Sequence, residues 1–440
     1  MLRRILIALL VVLVSPHGVS LRGEQPGEKS LSELRLLYVG SERAEDYVSF
    51  LEDKVGQIES VDRSSFNPKS ADQFDVILLD WPQSSAARET RTQESPLGPR
   101  DQWSRPTVLL GSAGLNLAVA WEIHGGSGCT CMDPLAYGFT DHEIFEQPYA
   151  IDRNAMIQIP TPEAFEDDLD DPTIKVLPLV NNYKANWRSG WCTYSSQFEK
   201  HPDVEFFCGG VNHKTPTAAG LWRQGNLLHF GFQQSPAEMN DHGQHLLLNS
   251  IAYISRFSQD RPIVVRPSVF AGKPVTRFRS TPASWLARGG IRVDWVEKMF
   301  DEPTGEELKS IESIDDRIQW CKQNQRFFFP SDGHLMGIDQ DLKAIDVGFD
   351  DPDFFQIVLA DLSGTSAEAK SRAARLLKRY VPCGPGPDAT ADQWNRWYDD
   401  HQPYLFAVDT GKYRWYIDEL ARQRKTPSEN LRGPLRADQD

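Results

Sequence analysis

The sequence predicts a doubly wound α/β domain followed by a mostly α-helical repeat domain, and three observations carry that prediction. Apolar runs at Leu34–Val39, Phe74–Leu79 and Val108–Leu110 alternate with helical patterns. Strands that are apolar throughout belong to parallel sheets covered on both faces. The run at Val108–Leu110 ends in Gly111-Ser112-Ala113-Gly114 and passes into a helical pattern from Leu115 to Glu122. Open α/β sheets place their ligands beside such strand–turn–helix junctions. Far downstream, WCKQNQRFFF from Trp320 recurs as WYDDHQPYLF from Trp397, 77 residues later, which marks an internal duplication.

Taken in order, the chain opens with Arg3 and Arg4, an apolar run from Ile5 to Val14, and small residues at Gly18 and Ser20. A bilayer span needs about 20 apolar residues, so this shorter run reads as a cleaved secretory signal over residues 1–20. The mature protein is expected to be secreted or periplasmic, and no later segment is long and apolar enough to cross a membrane. The first strand, Leu34–Val39, leads to a helix whose Tyr47, Val48, Leu51 and Val55 share one face. A short strand at Gln57–Val61, the apolar strand at Phe74–Leu79 and a polar excursion over Pro82–Trp103 follow.

Beyond the glycine turn, Met156–Ile159 and Ile174–Val180 are strand-like, and Cys208–Phe232 reads as a hairpin turning at Arg223-Gln224-Gly225-Asn226. A helix over His242–Phe257 carries Leu247, Ile251 and Ile254 on one side. The α/β domain is therefore assigned to residues 30–258 and a Pro/Arg-rich linker to 259–284. A helical domain with two degenerate repeats is assigned to 285–430, where stacked units bury faces that neither can bury alone.

Charge narrows the function classes. The chain carries 47 Lys and Arg against 62 Asp and Glu, a formal charge of −15. Such a surface repels nucleic acid and anionic lipid, and no concentrated basic patch offsets it. Polyanionic partners are therefore not expected, and the helical domain is read as scaffolding or as the surface for a protein partner. The sequence identifies no cofactor.

Chemistry concentrates between Arg105 and Phe145. Ser112 follows a strand and precedes a helix, as a nucleophile does in an elbow, although Leu110 stands where G-x-S-x-G has its first glycine. Capping of the helix through its hydroxyl is the competing role. His142 is the candidate general base, since Asp141 or Glu143 could set its tautomer. His124, His213, His229 and Trp222 are candidate binding residues. Together with Ser112, His142 and Cys129 these histidines are expected to line one cleft at the carboxyl ends of the strands, with His229 at its floor.

Cys129, Cys131, Cys192 and Cys208 are disulfide candidates, as befits an exported chain. Cys129 and Cys131 are too close to favour a bond to each other, so each is expected to reach Cys192 or Cys208. No C-x-x-C or H-x-x-x-H spacing is present, and no metal is assigned. The alternative is a site built from the C-x-C thiolates with His124, His142 or His213.

The α/β part, over roughly Leu34 to Phe257, resembles the trehalose-utilisation (ThuA-like) domains of the class I glutamine-amidotransferase-like fold. The resemblance rests on the strand–turn–helix at Val108–Trp121, on Gly125-Gly126 and on His142-Glu143-Ile144-Phe145, which is similar to a His-Pro-Ile-Thr loop. It also rests on the closing hairpin GLWRQGNLLHFG from Gly220 to Gly231. The family's strand ends in Gly-His where this chain has Gly231-Phe232, Gly111-Ser112 replaces the His of the earlier strand, and no elbow cysteine is present. The resemblance implies a flavodoxin-like sheet and activity connected with sugars. Two functions follow: an exported protein that binds or acts on a sugar-derived molecule, or a non-catalytic scaffold whose helical repeats hold a partner.

Overall fold

Five parallel strands form the centre of the first half of the chain: β1 (Arg35–Val39), β2 (Gln57–Val61), β3 (Val76–Asp80), β4 (Thr107–Leu110) and β12 (Leu227–Phe230). They stand in the order β2-β1-β3-β4-β12. The computed structural model describes residues 29–81, 94–124, 128–165, 169–183, 190–195, 198, 201–258, 260–265, 278–332, 335–409 and 411–425. The expected signal, residues 1–20, lies outside them, as do Gly125 and Gly126 and much of the expected linker.

Alternation along each strand divides the core in two. Leu36, Tyr38, Val76, Leu78, Val108, Leu110, Leu228 and Phe230 face α1 (Ala44–Leu51) and α3 (Asp241–Ile254). Leu37, Val39, Ile77, Leu79, Leu109 and Leu227 face α2 (Ala113–Trp121). Helix α3 begins where the Asn240 side chain accepts from the Gly243 N–H at 3.0 Å. It buries Leu246, Leu247, Ile251 and Ile254 against the sheet, and cutting one of these to Ala typically costs about 2–5 kcal/mol.

Past β12 the sheet turns antiparallel. The hairpin to β11 (Ala218–Gln224) turns at Gly225, whose φ of 56° suits glycine. It continues through β10 (Val204–Gly210), β6 (Leu135–Tyr137), β8 (Thr173–Pro178) and β7 (Ile157–Pro160). The start of β11 pairs instead with β9 (Gly190–Tyr194), which pairs with β5 (Gly128–Met132). The domain is thus a mixed α/β sheet, doubly wound only in its parallel part. No helix among the described residues is long and apolar enough to cross a membrane.

The second half has its own core around Phe328, Phe349, Phe354, Leu376, Tyr380 and Tyr413. After three short helices, α4 (Thr281–Arg288), α5 (Arg292–Glu297) and α6 (Glu302–Lys309), come two units with the same order of elements. One is α7 (Ile314–Asn324), β13 (Phe328–Asp332), β14 (Leu335–Ile338) and α8 (Gln340–Ile345); the other is α11 (Ala391–His401), β15 (Leu405–Val408), β16 (Arg414–Ile417) and α12 (Glu419–Arg424). Asp339 and Asp418 cap the closing helices with their carboxylates, and their N–H groups donate to Phe327 and Tyr404 carbonyls, both at 2.8 Å. Helices α9 (Phe354–Ser363) and α10 (Ala367–Tyr380) lie between the units in the chain. Each unit therefore contains a β-hairpin that the helical reading did not include, because strands of four or five residues carry little periodic signal.

The described ends of the expected linker are packed. Ile263 and Val264 sit against Phe406, Val408 and Tyr416 of the second hairpin, while Arg279 is buried inside the carboxy-terminal half.

Candidate functional site

At the carboxyl ends of β1 and β3, where an open sheet would receive a ligand, the structure places an internal ion pair. Asp80 closes the otherwise apolar strand β3 and is fully buried. Its carboxylate is held by Arg43, through Nε at 2.9 Å and a second close contact from Nη2, and by the Tyr38 hydroxyl. Arg43 also donates to the Gln233 carbonyl, and Arg63 to the Asp80 carbonyl at 2.9 Å. A buried carboxylate needs such partners to offset its lost hydration. This part of the crevice is filled by the protein's own charges.

Ser112 lies beside it, at the end of β4. The left-handed residue of the turn is Gly111, with φ 52°, and Ser112 has ordinary helical angles of −73° and −4°. Its hydroxyl caps nothing: Oγ is buried without a hydrogen-bond partner among the described residues. The capping role considered for Ser112 is therefore replaced by a buried, unengaged hydroxyl.

The single cleft expected for the histidines does not form, because the sheet separates them. His229 lies on the α2 face, stacked on Trp222 with ring centroids 3.7 Å apart. A Cβ on Gly114 would come within 2.5 Å of its Nδ1, so helix and ring are in close contact. His229 is 1% exposed, neither ring nitrogen has a hydrogen-bond partner among the described residues, and burial depresses its pKa to about 3. It is a neutral core ring rather than the floor of a cleft.

His142 lies on the opposite, α3 face, against Phe207 and Tyr253. Its Nδ1 accepts from the Ile144 N–H at 3.1 Å and its Nε2 meets the Tyr253 hydroxyl at 3.4 Å. Glu143, one of the two acidic residues expected to orient it, pairs with Arg256 at 2.9 Å. His124 lies at the amino ends of the strands, its backbone N–H donating to Gln224 at 3.0 Å, so β4 separates it from Ser112.

His213 is placed differently. Strand β10 runs parallel to β12, two antiparallel steps away, so its carboxyl end opens on the same side as that of β4. Three residues beyond it, His213 takes a φ of +55°, a sparsely populated conformation that persists only where its surroundings hold it. Asn212 supplies that hold by accepting from the Lys214 and Thr215 N–H groups at 3.0 and 3.1 Å. The His213 Nε2 lies 2.9 Å from Asp133 Oδ2, which also accepts from the Tyr183 hydroxyl at 3.0 Å. Asp133 is fully buried, and the Val211 carbonyl fixes its backbone N–H at 2.8 Å. The imidazole is 29% exposed. An ionised carboxylate only accepts, so Nε2 carries the proton and Nδ1 is the basic atom. Sequence reading singled out His213 but missed Asp133 and Tyr183; the signal was an acidic residue inside the short apolar stretch Met132–Tyr137.

The cysteines differ from expectation. Cys129 and Cys192 are register partners on β5 and β9, and the Cys129 side chain lies outside what the structure describes. Cys192 and Cys208 are buried thiols outside any disulfide, so the expected bridges from Cys129 and Cys131 to them are not made. Asn212 donates to the Cys192 sulfur at 3.4 Å, and the Cys208 thiol is pushed up by burial. A thiol reagent is expected to leave Cys192, Cys208 and Cys321 unlabelled in the native protein and to label them after denaturation. Peptide mapping that finds Cys192 or Cys208 in a disulfide would overturn this assignment.

No family model and no curated protein matches the chain. Among solved structures it is similar to a protein assigned as part of a GMP synthase from Thermoplasma acidophilum, at 10% identity and a TM-score of 0.30, covering 51% of this chain and 94% of that one. It is also similar to a ThuA-like protein from Bacteroides uniformis, at 15% identity and a TM-score of 0.27, covering 54% and 97%. By its own architecture, the chain is a mixed α/β sheet domain followed by a helical region with two hairpin-bearing units.

Proposed function

We propose that the protein is exported and binds a small hydroxylated, sugar-derived molecule at the carboxyl end of β10, with His213 as its proton-accepting contact. The carrying observation is the His213–Asp133 pair at 2.9 Å, in which a buried carboxylate orients a partly exposed imidazole held at positive φ. Tyr183 donates to the same carboxylate, and in the segment that follows His213 the Thr215 and Thr217 hydroxyls are 3.0 Å apart. Hydroxyl and imidazole groups of this kind match the donors and acceptors of a sugar. The crevice at Ser112 supports ligand binding less well, because Arg43 and Asp80 occupy it.

The test is calorimetry against a panel of sugars, sugar acids and sugar phosphates. At least one member is expected to bind. His213→Ala is expected to weaken it on the order of 10-fold, the value of one hydrogen bond of about 1.5 kcal/mol. Ser112→Ala should leave the affinity unchanged. Failure of the whole panel, or equal affinity in His213→Ala, rules the reading out. The filled crevice and the buried, neutral His229 favour a second reading, that of a non-catalytic module. Binding without conversion of the ligand would support it.

A further inference from the structure

A second group of titratable side chains lies at the other end of the strands and takes no part in the dyad. His124, His201 and Asp203 are all more than nine-tenths buried, and a ring nitrogen of each histidine and a carboxylate oxygen of Asp203 lie within 4.8 Å of one another. The two imidazoles meet nitrogen to nitrogen, His124 Nε2 to His201 Nδ1, at 2.8 Å. Asp203 is held from behind: one oxygen, Oδ2, accepts from Gln224 Nε2 at 2.9 Å and from the Ile263 and Val264 N–H groups at 2.8 and 3.2 Å. The other, Oδ1, is buried with no hydrogen-bond partner among the described residues. None of the ion pairs made by the described residues includes Asp203.

We infer that His124, His201 and Asp203 bind a divalent transition-metal ion of the zinc class. Two imidazoles and one carboxylate are a donor set that such ions accept. A buried carboxylate oxygen without a donor is costly as it stands, and an ion supplies the missing partner. The surroundings of Asp203 have the features of an outer shell, in which hydrogen bonds fix a ligand's direction. Gln224 ties the two ligand-bearing segments together, receiving the His124 backbone N–H on Oε1 at 3.0 Å and donating to the Asp203 carboxylate from Nε2. Phe198 closes one wall, 5.1 Å from His124 between ring centroids, and packs at a tilt on Trp222, 4.5 Å away. Nitrogens bound to one tetrahedral ion at about 2.05 Å stand roughly 3.3 Å apart. Loading therefore requires the rings to part by about half an ångström and exchanges their mutual hydrogen bond for two metal bonds. Because Asp203 also holds Ile263 and Val264, the ion would fix the chain where it leaves the α/β domain.

The full-length protein, stripped with a chelator, is titrated with Co2+ and then with Zn2+ in competition. The expected result is one ion per chain, with the visible bands of nitrogen and oxygen ligands and no thiolate charge-transfer band. His201→Ala and Asp203→Asn should each weaken Zn2+ binding by at least on the order of 10-fold, and a Cys129→Ser/Cys131→Ser variant should bind as the parent does. No saturable binding, a thiolate band, or parental affinity in both His201→Ala and Asp203→Asn would overturn the assignment. The Co2+ spectrum of the unaltered protein decides the matter even where a substitution prevents folding.

Discussion

Replacing His229 by Phe is expected to flatten the acid side of the stability profile. The ring is fully enclosed between Trp222 and the first turn of α2, and burial lowers its pKa from 6.5 to about 3. Between those values the unfolded chain binds a proton that the folded chain does not, so stability falls as pH drops from about 6.5 toward 3. One pKa unit is worth about 1.36 kcal/mol, which makes the loss about 2 kcal/mol by pH 5. Phe keeps the stack on Trp222 and cannot titrate. Its fit beside Gly114 is tight, so the quantity to compare is the difference in unfolding free energy between pH 7.5 and pH 5, not the absolute value. His229→Leu provides a second non-titrating variant. Equal pH differences in the parent and both variants would show that His229 is accessible to protons in the folded state.

The same residue shows where sequence reading stops. Leu227 to Phe230 read plainly as a strand, and alternation put His229 on the face opposite Leu228. Which face carries a cleft depends on the helix that covers it, and Gly114, which lets α2 approach the ring, shows that only in three dimensions. Parallel strands and the glycine turn were legible because local patterns record them. The two units of like element order each carry one of the matching stretches from Trp320 and Trp397, but their hairpins were hidden by strands too short to be periodic.

The charged pairs illustrate a different limit. Asp80 and Arg43 are 37 residues apart, as the hydrogen bond between them records, and His213 and Asp133 are 80 apart. Nothing local links either pair, and topology alone joins them. An acidic residue closing an apolar strand, as in VILLD, was the available sign. His142 misled for the opposite reason: an acidic neighbour in sequence need not be a neighbour in charge pairing, and Glu143 pairs with Arg256.

Arg279→Met is expected to cost about 3–5 kcal/mol, the penalty for leaving buried charge without its partner. The guanidinium stands in the core of the carboxy-terminal half, over Phe349 at 4.9 Å. It donates through Nη1 at 3.0 Å and again through Nη2 to Asp350, and lies 3.7 Å from Asp409. It also reaches the Arg326 carbonyl at 3.4 Å. Arg279 thus joins the helix-to-hairpin junction of the first unit, the segment before α9 and the hairpin of the second. Met fills much of the volume but neutralises neither carboxylate. Burial already raises the Asp409 carboxyl above its ordinary value while Arg279 opposes that rise, so removing Arg279 pushes it higher. A carboxyl whose folded pKa is raised contributes stability below its unfolded value and loses it as pH climbs through the folded one. The variant should therefore regain part of its deficit at acid pH relative to the parent. Arg279→Met/Asp350→Asn/Asp409→Asn should regain more at neutral pH, since no bare charge remains. Denaturant unfolding of all three proteins at two pH values reads both effects. An Arg279→Met protein within about 1 kcal/mol of the parent would mean that the pairs are solvated and that packing alone holds the two units together.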